Sequence, residues 1–276
     1  MNICIGIRVF SRVDDLKEVI DIINTTWKAN NYDIYVISNG ESSGFKLPDS
    51  IHKEVYKVVS LNNNTGHQKG SSQLLQAFYD NICFENNYDY SIILEADTWI
   101  YGDDIIDKYI SIMKVKKAVY AGAQWYDNYC SLATDFAIID NTFLKQNRDL
   151  FVFDDYAECH MANYLLERNI QYVYIRENTY PNLPGYLTSF RYPYTNKGRF
   201  NCFPYSKTVT HHIEDLNGGI EEKKRLFNIV SQADYYNIKG SNNSFVELFL
   251  MKLFFNISRL LFRKSWYSRN NILNDC

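Results

Sequence analysis

Basic residues hold no majority in this chain. Lysine and arginine number 29 against 32 aspartates and glutamates, a formal net charge of −3. Duplex nucleic acid binds chiefly through cations that meet its phosphates, so no nucleic-acid partner is expected. Cysteine is sparse and unpatterned: Cys4, Cys83, Cys130, Cys159, Cys202 and Cys276 form no C-x-x-C pair and no zinc spacing. With no basic n-region and apolar h-region at the start, the six read as reduced thiols of a cytoplasmic protein. No run of about 18 uncharged apolar residues occurs, so no membrane-spanning helix is expected. Every proline but Pro48 falls between Asn178 and Tyr205, a stretch that reads as irregular. No internal repeat or low-complexity linker is present.

Aromatic residues are abundant, at 16%, through 23 tyrosines and 17 phenylalanines. Such rings suit sugars, bases and lipid interfaces, and they also fill cores. The 46% hydrophobic and 22% charged content is that of a folded soluble chain. Its 276 residues, at about 150 per domain, suggest one large domain, alone or with an appendage.

Ile3 to Phe10 is apolar and β-branched and reads as a buried strand. Ser11 offers an N-cap, and Val13, Leu16, Val19, Ile20 and Ile23 follow at helical spacing. Tyr32 to Ser38 is a second strand, completing a βαβ unit and implying a parallel sheet. Further strands are expected over 55–60, 90–94, 118–122, 135–139, 171–175 and 209–212, with helices over 71–82, 105–113, 156–168 and 218–237, the last of them polar. The fold class is therefore α/β, a mostly parallel central sheet flanked by helices, over residues 1–240. Residues 241–276 form a C-terminal amphipathic helix.

The strongest local signal is Ile92-Ile93-Leu94-Glu95-Ala96-Asp97-Thr98. Ligands bind outside the carboxyl ends of buried parallel strands. Side chains at i and i+2 of an extended strand share a side, so its end can aim Glu95 and Asp97 at one hard divalent cation. The bland alternative is an acidic loop with solvated charges.

At this motif the chain resembles the GT-A glycosyltransferases, which transfer a sugar from a nucleotide-sugar and carry a D-x-D motif at a strand end. The resemblance spans about residues 1 to 215. It departs in having Glu95 at the first place, which leaves Asp97 the surer ligand. It implies a divalent metal, Mn²⁺ or Mg²⁺, and a nucleoside diphosphate sugar donor contacted by Glu95, Ala96 and Asp97. Arg8, Phe10 and Arg12 match the place where that fold binds uracil and ribose, so the donor is expected to be a UDP-sugar. Asn39 and Gly40 lie near the same crevice. Lys69, in the loop-to-helix segment Asn64–Ser72, is expected to offset phosphate charge; a plain capped helix start is the alternative.

Inverting enzymes of this fold carry a carboxylate pair at a helix start, whose second member is the general base. Counting back from Asn169 puts Glu158 in that role, with Asp155 as competitor; helix capping by Asp154 and Asp155 is the alternative. Many GT-A enzymes complete the metal site with a histidine after the acceptor-binding part, here His211 or His212, with His212 favoured. Trp125, Asp135 and Arg191 are expected acceptor contacts. The resemblance thus implies an inverting hexosyltransferase acting on a glycan or lipid-linked acceptor, as in bacterial surface polysaccharide (lipopolysaccharide, O-antigen) assembly. Sugar-phosphate nucleotidyltransferases share the fold, but Phe10-Ser11-Arg12-Val13-Asp14 does not match their Gly-rich signature. A non-catalytic carbohydrate-binding protein of this fold is a further alternative.

Residues 244–264 form a broad apolar helix bordered by Lys252, Arg259, Arg263 and Lys264, with Glu247 the one acid. It suits a peripheral site on the inner face of a cell membrane, a partner subunit, or the core.

Overall fold

Alternation along the first strand sets the architecture. Ile3, Ile5, Ile7 and Val9 enter one apolar core while Cys4 enters a second, so the sheet is buried on both faces. The computed structural model describes residues 1–82, 88–125, 130–179, 183–184, 186, 200–211, 216–238, 244–262 and 272–273. In chain order the elements are β1 (Asn2–Val9), α1 (Val13–Thr26), β2 (Asn31–Ser38), α2 (Ile51–Glu54), β3 (Lys57–Ser60), α3 (His67–Ile82), β4 (Tyr90–Glu95), β5 (Trp99–Ile100) and α4 (Asp104–Lys116). There follow β6 (Tyr120–Gly122), β7 (Phe136–Asp140), α5 (Asn141–Gln146), α6 (Ala157–Glu167), β8 (Tyr172–Tyr174), β9 (Asn201–Phe203), β10 (Thr208–Thr210), α7 (Gly219–Ser231), α8 (Ser244–Leu261) and β11 (Ile272–Leu273).

The central sheet runs β11-β8-β6-β7-β4-β1-β2-β3. Only β7 is antiparallel to its neighbours β4 and β6; the other pairings are parallel. The expected mostly parallel α/β fold with a C-terminal helix is what the chain adopts. Apolar residues of α1, α4, α7 and α8 fill one core, and those of α3, α5 and α6 the other. A second, antiparallel sheet of order β5-β10-β9 joins the first core through Trp99, Ile100, Cys202 and Val209.

From β1 the chain steps outward to β2 and β3, then returns to place β4 on the other side of β1. Strand order therefore reverses between β1 and β4, the place where open α/β sheets leave a crevice for ligands. Arg8 is the next-to-last residue of β1, Asn39 follows β2, and Glu95 ends β4, and all three line that crevice.

Several local expectations differ from the structure. Ser11 makes no side-chain cap; Arg12 occupies the N-cap of α1 without a capping hydrogen bond. α3 starts at His67 rather than Ser71, because the Asn64 side chain accepts from Gly66 N–H at 2.7 Å and Gly66 carbonyl accepts the first helical bond from Gly70. α7 is not a polar surface helix: Lys223, Leu226, Phe227 and Val230 are buried. Cys4, Cys130, Cys159 and Cys202 form no disulfide among the described residues, while Cys83 and Cys276 lie outside them. Among the described residues no helix is long and apolar enough to cross a membrane.

Candidate active site

The crevice at the strand reversal opens into a cleft of about 870 Å³, lined among others by Arg8, Phe10, Arg12, Asn39, Asp97 and Glu158. Strand β4 ends at Glu95, and the Thr98 N–H donates back to the Glu95 carbonyl at 3.0 Å. A turn, not an extended strand, therefore carries Asp97. Even so, ligand atoms of Glu95, Asp97 and His211 lie within 4.8 Å of one another. Two carboxylates and an imidazole form a donor set suited to Mn²⁺ or a similar borderline-hard ion.

His211 reaches this cluster because the extended run stops one residue earlier. Thr210 ends β10, and His211 takes a left-handed φ of 72°. The strand expected over 209–212 thus ends at Thr210. His211 joins the carboxylates, and the favoured His212 lies outside the described residues. Thr210 Oγ1 lies 3.0 Å from His211 Nδ1, 2.6 Å from Thr98 Oγ1 and 3.3 Å from Asp135 Oδ2. His211 Nδ1 also lies 4.0 Å from Asp97 Oδ1, so the Thr210 hydroxyl orients the imidazole ring at the cluster through the same nitrogen that faces the carboxylate. The Trp125 ring stacks on His211 at 4.4 Å between centroids.

Charged groups are packed into the protein beneath the cleft. Arg8, only 4% exposed, donates to Glu95 at 2.9 Å, to Ser71 and to the Thr134 carbonyl. Its guanidinium is thus committed to holding Glu95. Asp135 is buried, its backbone carbonyl accepts from Glu95 N–H at 2.8 Å, and its Oδ1 has no hydrogen-bond partner among the described residues. Burial, then the nearby Glu95 charge, pushes its carboxyl well above the usual range. An orphaned carboxylate oxygen beside two further carboxylates fits a cation at this place. Asp135, expected to touch an acceptor, is buried next to Glu95.

Sequence reading missed Lys223. Its ammonium is fully buried, 2.6 Å from Asp15 Oδ1, 2.6 Å from the Asp97 backbone carbonyl and 4.3 Å from the Trp99 ring. Burial drives Lys223 and Asp15 each toward the neutral form, and their contact opposes it. The ammonium joins α7 and α1 to the turn that presents Asp97. Asp15 and Lys223 are 208 residues apart; an acid in a helix's first turn and a lysine on a polar helix gave no signal of pairing.

Glu158, in the first turn of α6, lines the cleft. Asp155 is exposed, accepts from Tyr156 N–H at 2.7 Å and is not among the lining residues. Phe10 stands at the rim, edge-on to Phe45 at 5.2 Å. Asn39 is buried and donates to the Gly70 carbonyl at 3.3 Å, with its Oδ1 unpartnered among the described residues. A side chain at Gly70 would meet Asn64 Oδ1 at 2.6 Å, so glycine lets α3 approach here. Lys69 lines a different cleft, of about 710 Å³, with Arg148 and Asp154, so the structure does not bring it to the carboxylates. Arg191 lies outside the described residues.

No protein-family model matches the chain, and no curated protein does. Among solved structures, a mannosyltransferase from Pyrobaculum calidifontis in complex with GDP-Man and Mn²⁺ is similar over 93% of this chain and 70% of its own. Identity is 8% and the TM-score 0.46. The functional reading accordingly rests on the geometry of the site.

Proposed function

We propose that this protein is a metal-dependent, inverting glycosyltransferase using a nucleoside diphosphate sugar, with a UDP-sugar as the expected donor. The observation that carries the reading is the Glu95–Asp97–His211 cluster, set at the strand reversal in the cleft that Glu158 also lines. A divalent ion held by those three residues would offset the charge of the departing diphosphate.

The chain's own groups divide the remaining work. Arg8 fixes the Glu95 carboxylate, and Lys223 fixes the Asp97 backbone. Phe10 and Arg12 at the end of β1, with Asn39 after β2, offer a ring, a cation and an amide to the nucleoside. Glu158 accepts the proton of the acceptor hydroxyl as its oxygen attacks the anomeric carbon from the face opposite the leaving group. Trp125 gives the acceptor side an aromatic wall against which a sugar can stack. In this reading the acceptor is a glycan or lipid-linked glycan of cell-surface polysaccharide assembly, met at the inner face of a membrane.

A panel of nucleoside diphosphate sugars, assayed for nucleotide release with Mn²⁺ or with EDTA, tests the proposal. One donor should turn over only with metal, and Asp97→Ala should abolish the release. Equal turnover in EDTA, or an unaffected Asp97→Ala variant, overturns it.

A further inference from the structure

Helix α8 has an apolar face on each side. Leu248, Met251 and Phe255 are buried on the inner side, where α8 packs against α7. On the outer side Phe245, Phe249, Leu253, Ile257, Leu260 and Leu261 are between 42% and 83% exposed. A helix at the surface of a soluble protein ordinarily turns polar residues outward. Here the outer stripe is almost wholly apolar along the 18 residues of the helix, and contiguous patches of that kind mark an interaction surface.

The border of the stripe carries charge of one sign. Lys252 and Arg259 stand along one edge, Lys252 Nζ 5.7 Å from the Tyr205 ring and Arg259 5.3 Å from that of Phe255. Neither meets a carboxylate among the described residues. Glu247, the one acid of the helix, is held by Arg225 at 2.8 Å. Tyr205 itself is 43% exposed, its hydroxyl accepting from Asn256 of α8 at 2.6 Å, and its ring lies at the same edge, as suits an interfacial belt. By sequence alone, Arg263, Lys264 and Arg269 follow.

We propose that this face of α8 lies in the headgroup region of an anionic bilayer leaflet, with its apolar stripe in the acyl boundary and Lys252 and Arg259 at the phosphates. Charge complementarity selects this occupant. A second copy of the chain would bring its own Lys252 and Arg259 and a Glu247 already bound to Arg225. An anionic leaflet supplies the opposite charge along the whole edge. The helix lies on the surface and does not cross it, since no described helix is long and apolar enough to span. The inference is independent of what the cleft binds.

Co-sedimentation of the full chain with phosphatidylcholine vesicles, with and without phosphatidylglycerol, tests it. Binding should require phosphatidylglycerol and weaken as salt rises. Leu253→Ser with Leu260→Ser, both at exposed positions, should lower the partition coefficient by about tenfold or more. Lys252→Ala and Arg259→Ala should each lower it by about fivefold on anionic vesicles and leave any residual binding to neutral ones unchanged. Circular dichroism checks the fold of each variant, and the lipid and salt series on the intact chain decides the same question if a variant misfolds. An intact chain that stays in the supernatant with anionic vesicles at low salt overturns the proposal. So does a dimer by analytical ultracentrifugation that the Leu253/Leu260 variant dissociates while vesicles capture neither, because a second copy is then the occupant.

Discussion

The cleft at the strand reversal and the outer face of α8 break the rule of apolar inside and polar outside in opposite directions. Beneath the cleft, Arg8, Asp15, Asp135 and Lys223 are charged or polar and almost wholly excluded from water. On α8, leucines and phenylalanines face solvent. Buried ionic groups must be matched to one another or to a ligand to be tolerated, and Arg8–Glu95 and Lys223–Asp15 are matched within the chain. Asp135 and the outer stripe of α8 are two of the parts that the described chain leaves incomplete. In the proposed reading the first region holds a charged small ligand in fixed geometry, and the second meets an extended surface.

Removing one partner from the buried pair should break the first region hardest. Lys223→Met leaves Asp15 buried without its cation and is expected to cost about 3–5 kcal/mol of stability, read by urea unfolding. Combining it with Asp15→Leu should restore much of the loss while metal affinity stays reduced, because the Asp97 carbonyl still lacks its donor. Next in size, Glu158→Gln should lower turnover by about 10² with donor affinity kept, whereas Asp155→Asn, on an exposed residue outside the cleft lining, should change it little. Stopped assays with saturating donor distinguish the two. Thr210→Val removes the hydroxyl shared by Thr98, Asp135 and His211 and should weaken Mn²⁺ binding by about 10- to 100-fold, measured by competition with a metal-sensitive dye. Smallest of all, Leu260→Ser on the outer face of α8 should shift stability by no more than about 0.5 kcal/mol. A large loss there would mean that α8 is covered by the protein's own fold, and the contrast between the two regions would fall.

The sequence carried the first region unevenly. The order of strands and helices was legible because alternation and helical spacing are local, and Glu95-Ala96-Asp97 was legible because a long apolar strand ends there. Glu158, named through the GT-A resemblance by counting back from Asn169, lines the cleft. The antiparallel sense of β7 was not legible, since a buried strand is apolar whichever way it runs. Strands β5 and β9 span only two and three residues, too short for a period to show. Lys223 escaped for another reason, and Asp135 was read only as an acceptor contact. Their roles come from partners brought together by the fold, and a lone lysine or aspartate reads as surface until its neighbours are known. The apolar stripe of α8, by contrast, was plain in sequence; that its outer half stays uncovered among the described residues required the structure.

The account turns on Asp97, and calorimetric titration of Mn²⁺ with a nucleoside diphosphate into the intact chain and into Asp97→Ala tests it most directly. The intact chain should bind the diphosphate only when the metal is present, and Asp97→Ala, with its fold unchanged by circular dichroism, should show no metal-dependent binding. Equal metal-dependent affinity in the two proteins would contradict the assignment of Glu95, Asp97 and His211 as the centre of the site.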